Sequence, residues 1–151
     1  MVVDSLIVPQ CVYRPGSFTG LMTLYESNFI KLDGLLGSTA VDDTGRISRT
    51  DRDCDLYLEP MRREPYTTTL KLTYWLTDAR GRCVADPDLT LRVYHDACLV
   101  EAVAVCQGHQ HRVLKELARA PCRTELDRRW RRNMMLNKWL DYLLDMGHSF
   151  H

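Results

Sequence analysis

From residue 18 onward apolar side chains recur every three to four positions, at Leu21, Leu24, Tyr25, Phe29, Leu32, Leu35 and Leu36. That spacing predicts an α-helix with one buried face. Ser17 or Thr19 offers an N-cap, and Gly37 follows Leu36 where a helix would stop. Upstream, Pro9, Pro15 and Gly16 interrupt any period, so residues 1–17 read as an irregular extension. Residues 38–52 are polar with little to bury, and a mobile loop is expected there.

The period then falls to two. Leu70, Leu72, Tyr74 and Leu76 alternate with Thr67, Thr69, Lys71, Thr73 and Trp75, the signature of a half-buried strand. A shorter alternation precedes it, Cys54, Leu56 and Leu58 against Asp53, Asp55, Tyr57 and Glu59, with residues 60–65 as the connection. Residues 78–88, containing Gly81 and Pro87, read as the next turn region. Leu89, Leu91 and Val93 then alternate with Thr90, Arg92 and Tyr94. His95-Asp96 makes a tight turn into residues 98–106, which are apolar on both faces and so predict a strand that is central or covered on both sides. Residues 121–147 carry one long amphipathic helix. Thr124-Glu125-Leu126-Asp127 resembles a capping box with Asp in place of Glu, and Gly147 suits the position after the last turn.

The element order α-β-β-β-β-α with short connections predicts an α+β fold: a four-stranded antiparallel meander with the N-terminal and C-terminal helices on one face. At 151 residues and 45% hydrophobic composition the chain suits a single core, assigned to residues 18–148.

Charge changes this picture locally. Twenty basic and twenty acidic residues cancel, so no global field steers the chain to nucleic acid or membrane. Residues 107–138 nevertheless hold nine Arg and Lys against three acids, whereas residues 42–64 hold seven acids against five basic residues. The six cysteines, Cys11, Cys54, Cys83, Cys98, Cys106 and Cys122, form no CxxC pair and are read as reduced thiols. No apolar run approaches the roughly 20 residues that span a bilayer. The first residues show neither a basic signal region nor a cleavage site, and a cytoplasmic location is expected.

The most distinctive feature is Arg128-Arg129-Trp130-Arg131-Arg132 at the start of the last helix. At 100° per residue the four arginines share one face, with Trp130 opposite. Met135, Leu136, Trp139, Leu140, Leu143 and Met146 continue nearly the same arc. One surface cannot be both core and four arginines, so the first turns are expected to overhang the body at the sheet edge. There a partner, or Asp53, Asp55 and Glu59, would meet the guanidinium groups. Arg presents a planar fork to carboxylate and phosphate; the plainer reading is a solvated helix end with internal salt bridges.

Other constellations are weaker. His95 and Asp96 beside Arg92 and Tyr94 suggest a general base near a cation, but a hairpin corner accounts for them equally and no nucleophile motif accompanies them. Cys106, His109 and His111 resemble an incomplete metal set and read as loop residues. His148 and His151 fall in a short tail expected to fray. Lys71, Trp75, Arg92 and Tyr94 mix basic and aromatic groups on the outward sheet face, as single-stranded nucleic-acid platforms do and as half-solvated sheets do too.

At "LYESNFIKLDGLLG", "EPYTTTLKL", "LTLRVYHDACLVEAV" and "NKWLDYLLDMGH" the chain resembles the YqiB-like family, over about residues 18 to 148. The resemblance implies a small cytoplasmic proteobacterial protein, encoded beside a cyclic-nucleotide phosphodiesterase and an ADP-ribose pyrophosphatase. It brings no catalytic residues, metal or cofactor to carry over.

Three functional readings follow. The first is a non-catalytic binding or adaptor module whose Arg128, Arg129, Arg131 and Arg132 contact an acidic protein surface, with Trp130 as an anchor. The second is a nucleotide or nucleic-acid binder that adds Arg92, Lys71 and Trp75. The third is an enzyme centred on His95 and Asp96, which requires both to face a pocket. A homodimer through the open sheet face would cover Trp75 and Tyr94.

Overall fold

The computed structural model describes residues 16–38, 42–105 and 124–151. Helix α1 is Phe18–Leu36. Five strands follow, β1 (Arg46–Ser48), β2 (Leu56–Arg63), β3 (Thr67–Thr77), β4 (Cys83–Tyr94) and β5 (Leu99–Val105), and helix α2 is Glu125–Asp145. The strands form one antiparallel sheet in the order β1-β2-β3-β4-β5. The α+β class is as expected, with five strands in place of four.

The extra strand lies inside the segment read as a loop. Its three residues, paired with Leu58, Tyr57 and Leu56, are too few to show a period. β4 likewise begins at Cys83, inside the expected turn region, because the turn contracts onto Asp78, whose N–H bonds the Arg82 carbonyl. Two prolines masked these strand lengths, and each lies at a bulge. Asp86 and Pro87 together face Tyr74 where the β3–β4 register shifts, and Met61 is the extra residue between Pro60 and Arg62. Bulges are where a strand tolerates a residue without a ladder N–H.

Local chemistry ends both helices as their sequences suggest. The Ser17 hydroxyl accepts the Gly20 N–H at 3.0 Å, and the Thr124 hydroxyl accepts that of Asp127 at 3.1 Å. Gly37 and Gly147 follow the two helices at φ 77° and 86°, a conformation that costs glycine little. Both helices cover one face of the sheet. Leu32, Leu35 and Leu36 of α1 and Leu136, Trp139, Leu140 and Leu143 of α2 pack on inward residues of β2 to β5, among them Leu58, Leu72, Leu91 and Val100. The largest fully buried side chains among the described residues are all leucines. Such packing is strong but says little about register.

Register is supplied by a buried amide network that the apolar pattern did not reveal. β5, expected to be central or covered on both sides, is an edge strand, and the two helices close its edge. The Asn133 Oδ1 accepts the Ala102 N–H at 2.7 Å, the Asn28 Nδ2 donates to the Val100 carbonyl at 3.3 Å, and the Arg132 Nε donates to the Ala102 carbonyl at 3.4 Å. Asn137 joins Asn28 at 2.9 Å and accepts from the Lys31 ammonium at 2.8 Å, and Lys31 continues to Asp141. Asn28, Asn133 and Asn137 are at most 2% exposed.

The C-terminal tail, expected to fray, is pinned. His148 is 3% exposed, with Nδ1 at 3.0 Å from the Ser48 hydroxyl and Nε2 at 3.0 Å from Asp53 Oδ2. The Phe150 N–H reaches the Leu35 carbonyl at 2.9 Å. β1 and the tail therefore hold each other through Ser48.

Replacing Asn133 by Ala strands the Ala102 N–H and removes one of the two acceptors of the Asn28 amide. The expected loss of unfolding free energy is about 2–3 kcal/mol, within the range for an unsatisfied buried polar group. Chemical denaturation measures it, and an unchanged midpoint would show that this edge does not need Asn133.

Candidate functional site

The first turns of α2 do not overhang the body. Leu126 and Trp130 pack on Leu21, Leu24, Tyr25 and Met134, so Trp130 belongs to the contact between the helices. That packing turns the arginine stripe toward the β5 edge. Arg128 Nε and Arg129 Nε each lie 3.1 Å from the Glu125 carboxylate. Arg129 Nη1 is 3.7 Å from Glu101 Oε2, and Arg132 also reaches toward Glu125 at 4.0 Å. Two bonded guanidinium groups, Arg128 first and Arg129 second, hold the Glu125 carboxyl below its ordinary range. Among the described residues, the acids that pair with Arg128, Arg129 and Arg132 are thus Glu125 and Glu101, in place of the expected Asp53, Asp55 and Glu59. Asp55 pairs with Arg49, and Glu59 lies across from Lys71.

Glu101 is the centre of the arrangement. It alternates outward between the inward Val100 and Ala102, yet only 9% of its side chain is exposed. Tyr94 donates to its Oε1 at 2.5 Å, Arg92 Nη1 stands 3.8 Å from the same oxygen, and Arg129 takes the other oxygen. Burial first, and the bond to Glu101 second, raise the Tyr94 hydroxyl above its usual range. Tyr25 is raised by burial first and by the Glu101 charge second. Its hydroxyl is buried beside Glu101 and Arg129 without a well-formed hydrogen bond. A shallow groove of about 270 Å³ runs past these groups over Met22, Ala97 and Leu99.

Arg92 and Arg129, distant in sequence, are therefore brought together on one carboxylate. Lys71 and Trp75 are not part of this group. Lys71 Nζ lies 3.7 Å from Asp88, opposite Thr90, while Trp75 is 52% exposed opposite Ala85. Trp75 is six residues along β3 from Thr69, the partner of Arg92, a span of about 20 Å. One nucleobase and its phosphate cannot bridge that distance. Arg131 is partly buried on the same helix turn.

His95 holds the hairpin. Its Nε2 is 2.8 Å from the Thr68 hydroxyl and its N–H bonds the Tyr66 carbonyl, while Asp96 is exposed. Neither lines the groove described above. A second constellation, Ser48–His148–Asp53, has the order of nucleophile, base and orienting acid. Ser48 is 3% exposed and its hydroxyl accepts the Ser149 N–H at 3.0 Å, so no substrate carbonyl reaches it. Tyr74 and Tyr142 also donate to Asp53, and burial followed by that bond raises the Tyr74 hydroxyl far above its usual range. The cluster anchors the tail. Among the described residues no group of three His, Cys, Asp or Glu side chains is arranged to hold a metal ion. Cys106, His109 and His111 lie outside the described residues.

A family model described as "Protein of unknown function (DUF1249)" matches residues 31–149. The chain belongs to the DUF1249 family. No curated protein and no solved structure matches it. The DUF1249 match covers the whole sheet, α2 and the tail as far as Ser149, and starts at Lys31, within α1. Among the described residues of this DUF1249 protein, no helix is long and apolar enough to cross a membrane. Of the residues that organise the site, Glu101 escaped the sequence reading, and Tyr25 and Glu125 entered it only as an apolar stripe position and part of a capping motif. Glu101 had a visible signal, being the sole charge in the apolar run of residues 98–106.

The raised tyrosines give a pH dependence with a definite sign. Tyr25, Tyr74 and Tyr94 stay protonated in the folded state to higher pH than in the unfolded chain, so their contribution is complete below about pH 10 and is lost as pH rises beyond it. Tyrosinate absorbance is expected to show these three ionising only as the circular dichroism of the fold collapses. Their smooth ionisation with the fold intact would contradict their burial.

Proposed function

We propose that this DUF1249 protein is a non-catalytic binding module whose α2 start, Arg128, Arg129, Arg131 and Arg132, contacts an acidic protein partner, with Arg92 at the margin. The observation that carries this reading is the way Glu125 engages Arg128 and Arg129 through Nε while both side chains stay about half exposed, at 51% and 47%. A guanidinium held at Nε keeps terminal N–H donors for a second carboxylate, and its orientation is already set. Ordering such long side chains beforehand reduces what association must overcome. The neighbouring groove over Met22, Ala97 and Leu99 offers apolar contact beside the charges. With no net charge on the chain, attraction to an acidic surface rests on this local cluster.

A nucleic-acid role draws less support, since Trp75 lies far from the arginines. The narrower placement in the YqiB-like family rests on the four segments that carry the resemblance, and it adds no partner.

The test is capture from native lysate, with and without nuclease, comparing wild type with Arg128→Glu/Arg131→Glu, which leaves the Glu101 and Ala102 contacts of Arg129 and Arg132 intact. The expected result is a nuclease-resistant protein that the variant no longer retains, and salt that weakens its capture. Recovery that vanishes with nuclease would replace this reading with nucleic-acid binding, and an unchanged profile would leave the arginines as a solvated helix end.

A further inference from the structure

We propose that the outward sheet face carries a phosphate site, distinct from the α2 arginines, in the depression between the β2–β3 turn and the last residues of β4. The depression has a volume of about 320 Å³ and is lined by Arg62, Glu64, Thr67, Thr69, Arg92 and Tyr94. Its ligand class is a small molecule bearing a phosphate monoester.

Strand register builds it. Arg62 pairs with Thr69 and Thr69 with Arg92, so these three stand in one row across β2, β3 and β4, and Thr67 with Tyr94 forms the next row. Arg62 reaches this row only because Met61 is bulged. Pro60 lies opposite the inward Leu70, and without the extra residue simple alternation would turn Arg62 inward as well. A bulge that re-aims one side chain is a recurrent device next to sites.

The lining is almost entirely donors. Two guanidinium forks and the hydroxyls of Thr67 and Thr69 converge, more than the two oxygens of a carboxylate use and well matched to the three terminal oxygens of a phosphate monoester, while the Tyr94 O–H is already given to Glu101. The acids do not cancel this. Glu101 lies behind the depression, orienting Tyr94 at 2.5 Å and Arg92 at 3.8 Å, and Arg129 shares its charge from the far side. Glu64 holds Arg62 at 2.7 Å, but their side chains are 47% and 76% exposed, and a pair so open to water yields readily to a dianion.

The experiment is a ¹⁵N NMR titration of the full chain with inorganic phosphate, methyl phosphate and, at matched ionic strength, acetate. Saturable shifts at the amides of Thr67, Thr69, Arg92 and Tyr94 are expected with both phosphates, in the millimolar range, and weaker ones with acetate. Arg62→Gln, on the surface and without a core contact, is expected to weaken phosphate by about tenfold, the loss of one charge-assisted donor. Glu64→Gln is expected to tighten it, and Arg128→Gln/Arg131→Gln to leave it unchanged. Shifts that rise linearly without saturating, that map to α2, that survive Arg62→Gln in a variant of unaltered circular dichroism, or that acetate matches would each overturn the site. Because the lysate capture probes other arginines, either reading fails without the other.

Discussion

The structure depends on how the open edge of β5 is closed. Ala102 and Val100 carry backbone groups that no sixth strand among the described residues takes, and the carboxamides of Asn133 and Asn28 take them instead. A leucine core drives collapse without directing it, since its energy varies little as one helix slides on the sheet. A hydrogen bond of 2.7 Å from Asn133 to one particular N–H does not tolerate such sliding. The polar network, which links β5 to both helices and runs on through Asn137 to Lys31 and Asp141, therefore fixes the depth and rotation of α1 and α2. It also removes the edge as a template for pairing with another chain.

The candidate chemistry is a consequence of that closure. Bringing α2 against β5 carries Arg129 and Arg132 past the edge, where Glu101, on the opposite side of the same strand, meets Arg129 from the helix and Arg92 from β4. One nearly buried carboxylate thus joins the helical layer to the outward sheet face. Its two oxygens divide the surroundings. One faces the groove beside α2, and the other orients Tyr94 and Arg92 toward the depression with Arg62.

Periodicity revealed an element wherever it was long enough to have a period and uninterrupted by proline. α1, α2 and the central β3 were plain for that reason, as were Ser17, Thr124, Gly37 and Gly147 at the helix ends. β1 has three residues, and Pro60 and Pro87 sit in bulges, so alternation was broken where β2 and β4 continue. The apolar run of β5 left open whether the strand is central or covered on both sides, because burial by helices and burial by flanking strands leave the same mark on a sequence. Asn28, Asn133 and Asn137 carry no apolar signal, though they are among the most buried residues of their helices. His148, read as part of a loose tail, is buried because Ser48 and Asp53 receive it.

The sequence by itself determined the class of fold, the two helices with their caps, the antiparallel connectivity and the presence of a basic stripe on α2, because all of these follow from local spacing and residue type. Only the tertiary structure decided which acids that stripe meets, that Arg92 joins it while Lys71 and Trp75 do not, and that a bulge at Met61 turns Arg62 to the same face. Those relations depend on register between segments far apart in the chain, and register is set by directional bonds such as that of Asn133 to Ala102, whose partners no local pattern names.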